Sequence, residues 1–572
     1  MKERLLYEVR EIKDLKDMLN QSAKLFADKN AFLDNKAPGL LSGITYKQFK
    51  NDVDSLGTAF LSMGLKDGFI AVIGENRYEW CVTYLATVNG TGVIVPLDKE
   101  LPEQDIENLL NRSEVSAVIF SKKYSRIMEK LSDRLQTVKY YINMDNANDE
   151  DGVLSLRTLL EKGRELIEQG DNSFINAGID RDKMSILLFT SGTTGFAKGV
   201  MLSHANICSN ITAVSATVNI KISDTSLSIL PLHHTYECSL GFLTFIYNGG
   251  TIAFNEGLKY ISKNLKEVKP SVLVTVPLIL ENMYKKIWDQ ASKKKGTKIK
   301  LKAAMFISNI LYNYAGIDIR RRLFKQIHDN FGGNIRLFIT GAAAVDPLVT
   351  KGLRNLGMLV LQGYGLTECS PLVIGNRDMY YVDGAVGLPL PGVEVKLNNP
   401  NDSGIGEIIT KGSNVMLGYY NDEEATNKCL KDGWFHTGDL GKMDKHGFYY
   451  ITGRCKNVIV TKNGKNIYPE ELEAFINRSP FVQESMVWGC YEEKSGETIV
   501  NAQIFPNLEL IKEKLKKHTL TKEDITAVFN DIIKNINNGM PLYKRIRNFS
   551  IRETEFIKTT TKKIKRYKEI AN

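Results

Sequence analysis

Apolar and polar positions along the chain follow two periods. The stretch "TYKQFKNDVDSLGTAFLSMGL" (45–65) repeats its apolar side chains at helical spacing, while "FIAVIG" (69–74) is a short continuous apolar run of the kind that forms a buried strand. "YEWCVTYLATVNG" (78–90) predicts a helix stopped by Gly90, and "GVIVPLD" (92–98) a further strand, so the order is αβαβ. The alternation continues through "AVIF", "SILLFT", "LVTVP" and "IRLFITG", short Val/Ile/Leu/Phe runs that suit buried parallel strands. The pattern changes near "GFYYITGRCKNVIVTKNGKNIYPEELEAFINRS". There Asn463-Gly464 is a hairpin signal, and Pro469 followed by two glutamates marks a helix start. Thr521, with Asp524 three residues on, predicts a capped helix to about Asn537. A small α+β domain is thus expected from near Lys456, after a large α/β part.

Composition narrows the class. At 572 residues the chain is too long for one core, and its 43% hydrophobic and 25% charged content is ordinary for a soluble globular protein. The start, "MKERLLYEVREIKD", is charged and lacks an apolar signal region, and the longest apolar stretch, around "SVLVTVPLIL", is short of the roughly 20 residues that span a bilayer. A cytoplasmic protein is expected. Seven cysteines without a CxxC pair predict reduced thiols serving as small apolar core residues, not a disulfide framework or a zinc site.

The net charge of +9 is unevenly placed. From Ala291 to Lys325 ten Lys/Arg face the single acid Asp318, with apolar residues such as "AMFISNILY" between them; a second basic run covers 541–568. Such runs are commonly solvated faces, but the first, mixed with aromatics, also suits peripheral contact with an anionic membrane. No nucleic-acid-binding signature accompanies them.

Candidate chemistry lies in the turns. The segment from Thr190 to Gly199 holds three glycines, four hydroxyls and Lys198, an inventory of turned-in N–H groups, hydroxyl donors and a compact cation that suits a polyphosphate. It misses the common GxxxxGK[ST] pattern: counted from Gly192, Ala197 stands for the second glycine and Gly199 for the hydroxyl. The residues after Lys198 predict a strand, not a helix start. "LFITGAAAV" and "LQGYGLTECSP" end apolar runs in small residues that let a flat base approach the backbone, with Tyr364 placed to stack and Glu368 able to supply a hard oxygen to Mg²⁺. In "GWFHTGDLG", Asp439 follows a glycine, where a carboxylate can accept both hydroxyls of a ribose. Each of these also has a purely structural reading as a turn residue, a surface acid or helix packing.

Taken together, "FTSGTTGFAKGVMLSHANI", "LPLHHTYE", "ITGAAAV", "YGLTE", "GWFHTGDLG", "YITGRCKNVIV" and "IKTTTKKIKR" resemble, in order and spacing, the motif series of the adenylate-forming superfamily of acyl-CoA synthetases, adenylation domains and firefly luciferase. The long basic stretch between "LPLHHTYE" and "ITGAAAV" resembles long-chain fatty acyl-CoA synthetases. The resemblance implies an acyl-CoA synthetase-like fold: a large multi-subdomain N-terminal α/β domain (1–455) and a smaller mobile α+β C-terminal domain (456–572). It also implies a two-step reaction, in which a fatty acid and MgATP give an acyl-adenylate and pyrophosphate, and coenzyme A then displaces AMP.

By the same resemblance, Thr190, Ser191, Gly192, Thr193, Thr194, Gly195 and Lys198 hold the β- and γ-phosphates, and Thr193 and Glu368 serve the metal. Gly341, Ala342, Gly363, Tyr364 and Gly365 frame the adenine. Thr367 touches the α-phosphate, Asp439 and Arg454 hold the ribose, and His234 lies near the acyl carboxylate, although Glu237 or core packing would equally explain a histidine there. Lys563 bridges carboxylate and α-phosphate, in a segment where Ile557 and Lys562 replace the family's proline and glycine, so that Lys562 competes for the role. Lys456 is the hinge. The expected partners are fatty acid, ATP, CoA, an anionic membrane surface and a second copy in a homodimer. Two alternatives remain: transfer of another acid to a carrier-protein phosphopantetheine thiol, and a non-catalytic nucleotide-binding scaffold on membranes.

Overall fold

The computed structural model describes residues 6–37, 40–190, 197–293, 296–461, 465–492, 497–558 and 564–570. Two compact units result, 1–395 with 410–435, and 396–409 with 436–572. The three boundaries fall inside the strands Val393–Asn398, Gly406–Gly412 and Trp434–Met443.

Among its described residues the first unit carries two long sheets. In one, parallel strands Val272–Thr275, Leu337–Thr340 and Leu359–Gly365 lie side by side in register, Thr275 opposite Thr340 and Thr340 opposite Gln362. In the other, parallel strands Val93–Pro96, Phe69–Ile73 and Ala117–Phe120 sit at the centre, and Met184–Thr190 joins Val93–Pro96 in the same sense. These are the runs the apolar pattern predicts, and their residues are almost wholly buried because helices cover both faces. One cluster around Leu227, Leu273 and Phe338 fills the first sheet's side, and another around Ala71, Val95, Val118 and Leu187 the second's.

Local chemistry sets the helix ends. Thr45 caps the helix Tyr46–Ser62 by accepting from the Gln48 N–H, and Ser203 with Asn206 closes a capping box before His204–Thr217. The strand Lys198–Ser203 therefore intervenes between the glycine- and hydroxyl-rich segment and the helix, as the apolar run after Lys198 predicts. The seven thiols are free, but only Cys81, Cys208, Cys238 and Cys369 are buried. Cys455 and Cys490 are exposed and Cys429 half-buried, so the expectation that each is a core residue fails for these three, which sit at a strand end or edge of the second unit and at a short helix terminus. No helix of the described residues is long and apolar enough to cross a membrane.

In the second unit, antiparallel strands Val482–Glu492 and Glu497–Pro506 extend to Ile546–Ile551 in parallel, with helices Pro469–Asn477 and Lys522–Asn538 packed on them. Pro469 occupies the first helical turn and Thr521 with Asp524 forms the second capping box, both as predicted. Strands Ile459–Val460 and Asn466–Ile467 pair antiparallel across the Asn463-Gly464 hairpin position, which itself lies outside the described residues.

Helices Tyr46–Ser62 and Leu156–Glu168 touch backbone to backbone: a Cβ on Gly163 would lie 1.8 Å from the Ser55 carbonyl oxygen. Gly163→Ala must push the helices apart and is expected to cost about 3 kcal/mol, whereas Gly178→Ala, facing open space, should change stability by less than about 0.5 kcal/mol. Denaturant titration of both variants checks this; equal stabilities would refute the contact.

Candidate active site

Thr190 ends one strand of an antiparallel pair and Lys198 begins the other, directly opposite in register, with the Thr190 hydroxyl 3.5 Å from the Lys198 carbonyl. The residues between them that carry the motif, Ser191, Gly192, Thr193, Thr194 and Gly195, lie outside the described residues. The downstream foot of the loop is held by Arg112, whose guanidinium donates to the Ala197 carbonyl at 2.9 Å.

Lys198 is joined to a second motif by a residue that motif reading passed over. Its Nζ stands 4.5 Å from the centroid of the Tyr419 ring, and the Tyr419 hydroxyl donates to Glu368 Oε1 at 2.9 Å. Burial and the adjacent Glu368 carboxylate push the Tyr419 phenol far above its usual pKa, so it remains a donor. Tyr419 is placed by the short strand Gly418–Tyr419, which pairs with Lys198–Ser203, and the Met416 N–H donates to the Glu368 carbonyl. The doublet Tyr419-Tyr420 after Gly418, whose φ of 146° is open to glycine, was the available signal. Glu368 thus presents a carboxylate oriented by Tyr419 beside a cation. That hard-oxygen donor fits Mg²⁺, which is commonly held by one or two carboxylates and by substrate phosphates. Thr193, the other metal candidate, is outside the described residues.

Gly341 and Gly363 each follow one member of the register pair Thr340 and Gln362, so the two small-residue segments emerge side by side at the carboxyl edge of the parallel strands. Ligands of open α/β sheets bind at such an edge. A Cβ at Gly341 would come within 3.3 Å of the Tyr236 ring, and Ala342 holds a φ of 69°, a left-handed conformation uncommon for alanine. Gly363 and Gly365 have a different reason to be glycine: a Cβ at Gly365 would meet the Pro371 carbonyl oxygen at 1.9 Å, and one at Gly363 the Leu372 side chain at 2.7 Å. Their small size is demanded by the returning chain of the protein itself. Tyr364 is nearly buried between them, and Thr367 opens a single 3₁₀ turn leading to Glu368.

His234 begins the turn into a π-helix, Tyr236–Leu243, and its ring lies 4.2 Å from that of His233. His233 is buried, which holds its imidazole neutral. Tyr236 donates its hydroxyl to the carbonyls of Thr275 and Ile339, 3.1 Å each, tying this turn to the same sheet edge. Behind it lies a polar side-chain network of which only Glu237 belongs to a quoted motif. Asn76 donates to the Ser228 hydroxyl at 2.9 Å and to the Leu230 carbonyl at 2.6 Å, and it accepts from the Leu232 N–H at 3.1 Å. Ser228 in turn donates to Glu237 Oε1 at 2.6 Å, while Glu237 Oε2 is buried with no hydrogen-bond partner. Burial pushes the Glu237 carboxyl up to about 8.

In the second unit, Asp439 and Arg454 stand opposite each other on paired strands, and Arg454 Nε donates to Asp439 Oδ1 at 2.6 Å. The Asp439 N–H donates to the Thr437 hydroxyl, and Gly438, at a φ of 69°, gives its N–H to Glu407 Oε1. Asp439 is therefore a buried, oriented carboxylate and not merely a turn residue. Lys456 lies in a short 3₁₀ turn just after Arg454. Lys563 is outside the described residues, but the flanking Lys558 and Ile564 form a bridge. Lys562, the competing candidate, is likewise outside the described residues, and Arg566 donates to the Val487 carbonyl at 2.8 Å and pairs with the Glu473 carboxylate.

These features define a class: an α/β protein whose small-residue turns emerge at the carboxyl edge of parallel strands, followed in sequence by a small α+β unit. Family models give the class its name, matching an AMP-binding enzyme over residues 19–420 and an AMP-binding enzyme C-terminal domain over 456–571. The chain belongs to the AMP-binding enzymes. Similar proteins include long-chain-fatty-acid–CoA ligase 6 of Rattus norvegicus, 31% identical over 78% of this chain and 67% of that protein. Long-chain-fatty-acid–CoA ligase of Escherichia coli O6:H1 is 27% identical over 93% of this chain and 94% of that one. The fold matches an anthranilate CoA ligase with anthranoyl-AMP (TM-score 0.75, 21% identity, 100% of this chain and 98% of that one). It also matches a Mycobacterium tuberculosis fatty acyl CoA synthetase (TM-score 0.62, 21% identity, 96% of each chain). Its chemistry is adenylation of the acyl-CoA ligase type, that of an AMP-forming acid–thiol ligase.

Glu237 makes a pH prediction. A carboxyl raised to about 8 adds stability that is full below its unfolded value of 4.5 and is lost as pH rises through 8. Glu237→Gln keeps the acceptor for Ser228 and removes the titration. Its stability relative to the parent should therefore rise between pH 5 and 8 by up to about 1.4 kcal/mol per pH unit. Parallel pH profiles in urea unfolding would show an ordinary carboxyl.

Proposed function

We propose that this ligase activates a long-chain fatty acid: the carboxylate oxygen attacks the α-phosphorus of ATP, pyrophosphate leaves, and the sulfur of CoA then attacks the acyl carbon and expels AMP. The observation that carries the general chemistry is the Lys198–Tyr419–Glu368 chain, which joins the phosphate-loop segment to the turn below Gly363–Gly365. The long-chain reading rests on the long-chain-fatty-acid–CoA ligases among the relatives.

Two anions must approach each other, so the site's task is positioning and charge neutralisation. Lys198 and the Thr190–Gly195 loop hold the β- and γ-phosphates, and Thr367 orients the α-phosphate. Glu368 with Thr193 would hold Mg²⁺, which supplies charge neutralisation on the phosphates. Gly341, Ala342, Gly363, Tyr364 and Gly365 frame the base. Asp439, its orientation fixed by Arg454, accepts the ribose hydroxyls, and Arg454, occupied with the carboxylate, acts mainly through it. His234 lies at the acyl carboxylate, and Lys563 bridges that carboxylate and the α-phosphate. The large domain ends at 455 and the small one rotates at Lys456.

AMP release measured with CoA and saturated acids from acetate upward tests the substrate class. A maximum at long chains is expected; a maximum at acetate, or release only with a carrier-protein thiol, overturns it. A hinge residue must change φ and ψ, and proline fixes φ. Lys456→Pro should abolish thioester formation while acid-dependent exchange of pyrophosphate into ATP persists. Equal loss of both half-reactions would remove the hinge assignment.

A further inference from the structure

The helix Thr297–Ala315 is packed on one side only. Leu301, Ala304, Met305 and Ser308 face the core cluster of the first unit. The opposite stripe, Ile299, Phe306, Ile310 and Tyr314, follows helical spacing and stands in solvent, Phe306 at 68% and Tyr314 at 88% exposure, and Ile317, exposed as well, comes just after the Gly316 that ends the helix. Eight of the twenty-six exposed large apolar side chains among the described residues fall between 299 and 323. Scattered exposed apolar residues are ordinary; a contiguous stripe marks an interaction surface.

The charge around the stripe is of one sign. No acid occurs between Asp289 and Asp318, while Lys298, Lys300 and Lys302 are exposed in the first two turns, and Arg321 and Arg322 are exposed just beyond the helix. Asp318 is taken up by Arg320, Nη2 to Oδ2 at 2.6 Å, and the Arg320 guanidinium stacks on Tyr312 at 3.7 Å. Three lysines at a helix N-terminus oppose the helix dipole, so the helix itself gains nothing from them.

From this face we infer that Thr297–Ala315 and the following residues to Leu323 form a docking surface for an anionic lipid bilayer. Phe306, Ile310 and Tyr314 enter the interface while the lysine stems lie along it and their ammonium groups meet anionic headgroups. A second copy is the poorer occupant, because a two-fold contact through this face would set the two basic rims against each other. The surface stands independently of the proposed substrate.

Co-sedimentation of the full chain with vesicles tests it. Vesicles of phosphatidylcholine and phosphatidylglycerol in equal parts should bind at least about tenfold more tightly than phosphatidylcholine alone, with binding weakened by salt. Both the triple variant I299S/F306S/I310S and the triple variant K298A/K300A/K302A should lose most of it, while AMP release with a water-soluble acid and no vesicles stays at the parent level. Binding unchanged in both variants, no preference for the anionic vesicles, or a lipid-free dimer that I299S/F306S/I310S dissociates would each overturn the proposal.

Discussion

The hydroxyl of Tyr419 is the contact on which the first unit's site depends. It donates to Glu368, while the face of the same ring carries the ammonium of Lys198. One buried aromatic side chain thereby holds a cation and a carboxylate near each other without letting them neutralise through a direct ion pair. Both charges remain available to a ligand that needs each, such as a metal-bound polyphosphate. The short strand that carries Tyr419 adds itself to the edge of the Lys198–Ser203 strand, so the loop's exit and the acid's orientation are set by the same backbone pairing.

A second constraint lies deeper. Ser228 and Glu237 are buried among aliphatic and aromatic side chains, with Asn76 half-buried beside them, and there an unpaired polar atom is destabilising. The network satisfies one Glu237 oxygen and leaves the other without a partner, and burial favours the protonated form. The same Asn76 side chain grips the Leu230–Leu232 backbone that leads into His233 and His234. Core polarity here orients a turn, and the π-helix that follows lets Tyr236 brace the strand ends beneath Gly341.

Much of the architecture was legible before the structure. The αβ alternation, the strand after Lys198, the Pro469 helix start and the Thr521 capping box all depend on neighbours a few residues away, and local periodicity and capping report such neighbours directly. The segments bearing Lys198, Gly341, Gly363 and Glu368 were legible as motifs. Tyr419 was not, because its role depends on Glu368, 51 residues away in sequence, and on a ring contact with Lys198; nor was Asn76, whose partner Ser228 is 152 residues away.

The amino-acid order by itself determined the element types, their caps and the presence of a glycine-rich, hydroxyl-rich turn ending in lysine. Tertiary structure decided which glycines are small for the chain's own sake, as Gly365 is against Pro371, which thiols are buried, and which face of Thr297–Ala315 stays in water. The reason is range. Helix and strand preferences are energies of adjacent residues, whereas burial, protonation and the pairing of a distant hydroxyl with a carboxylate exist only once separate segments have been brought together.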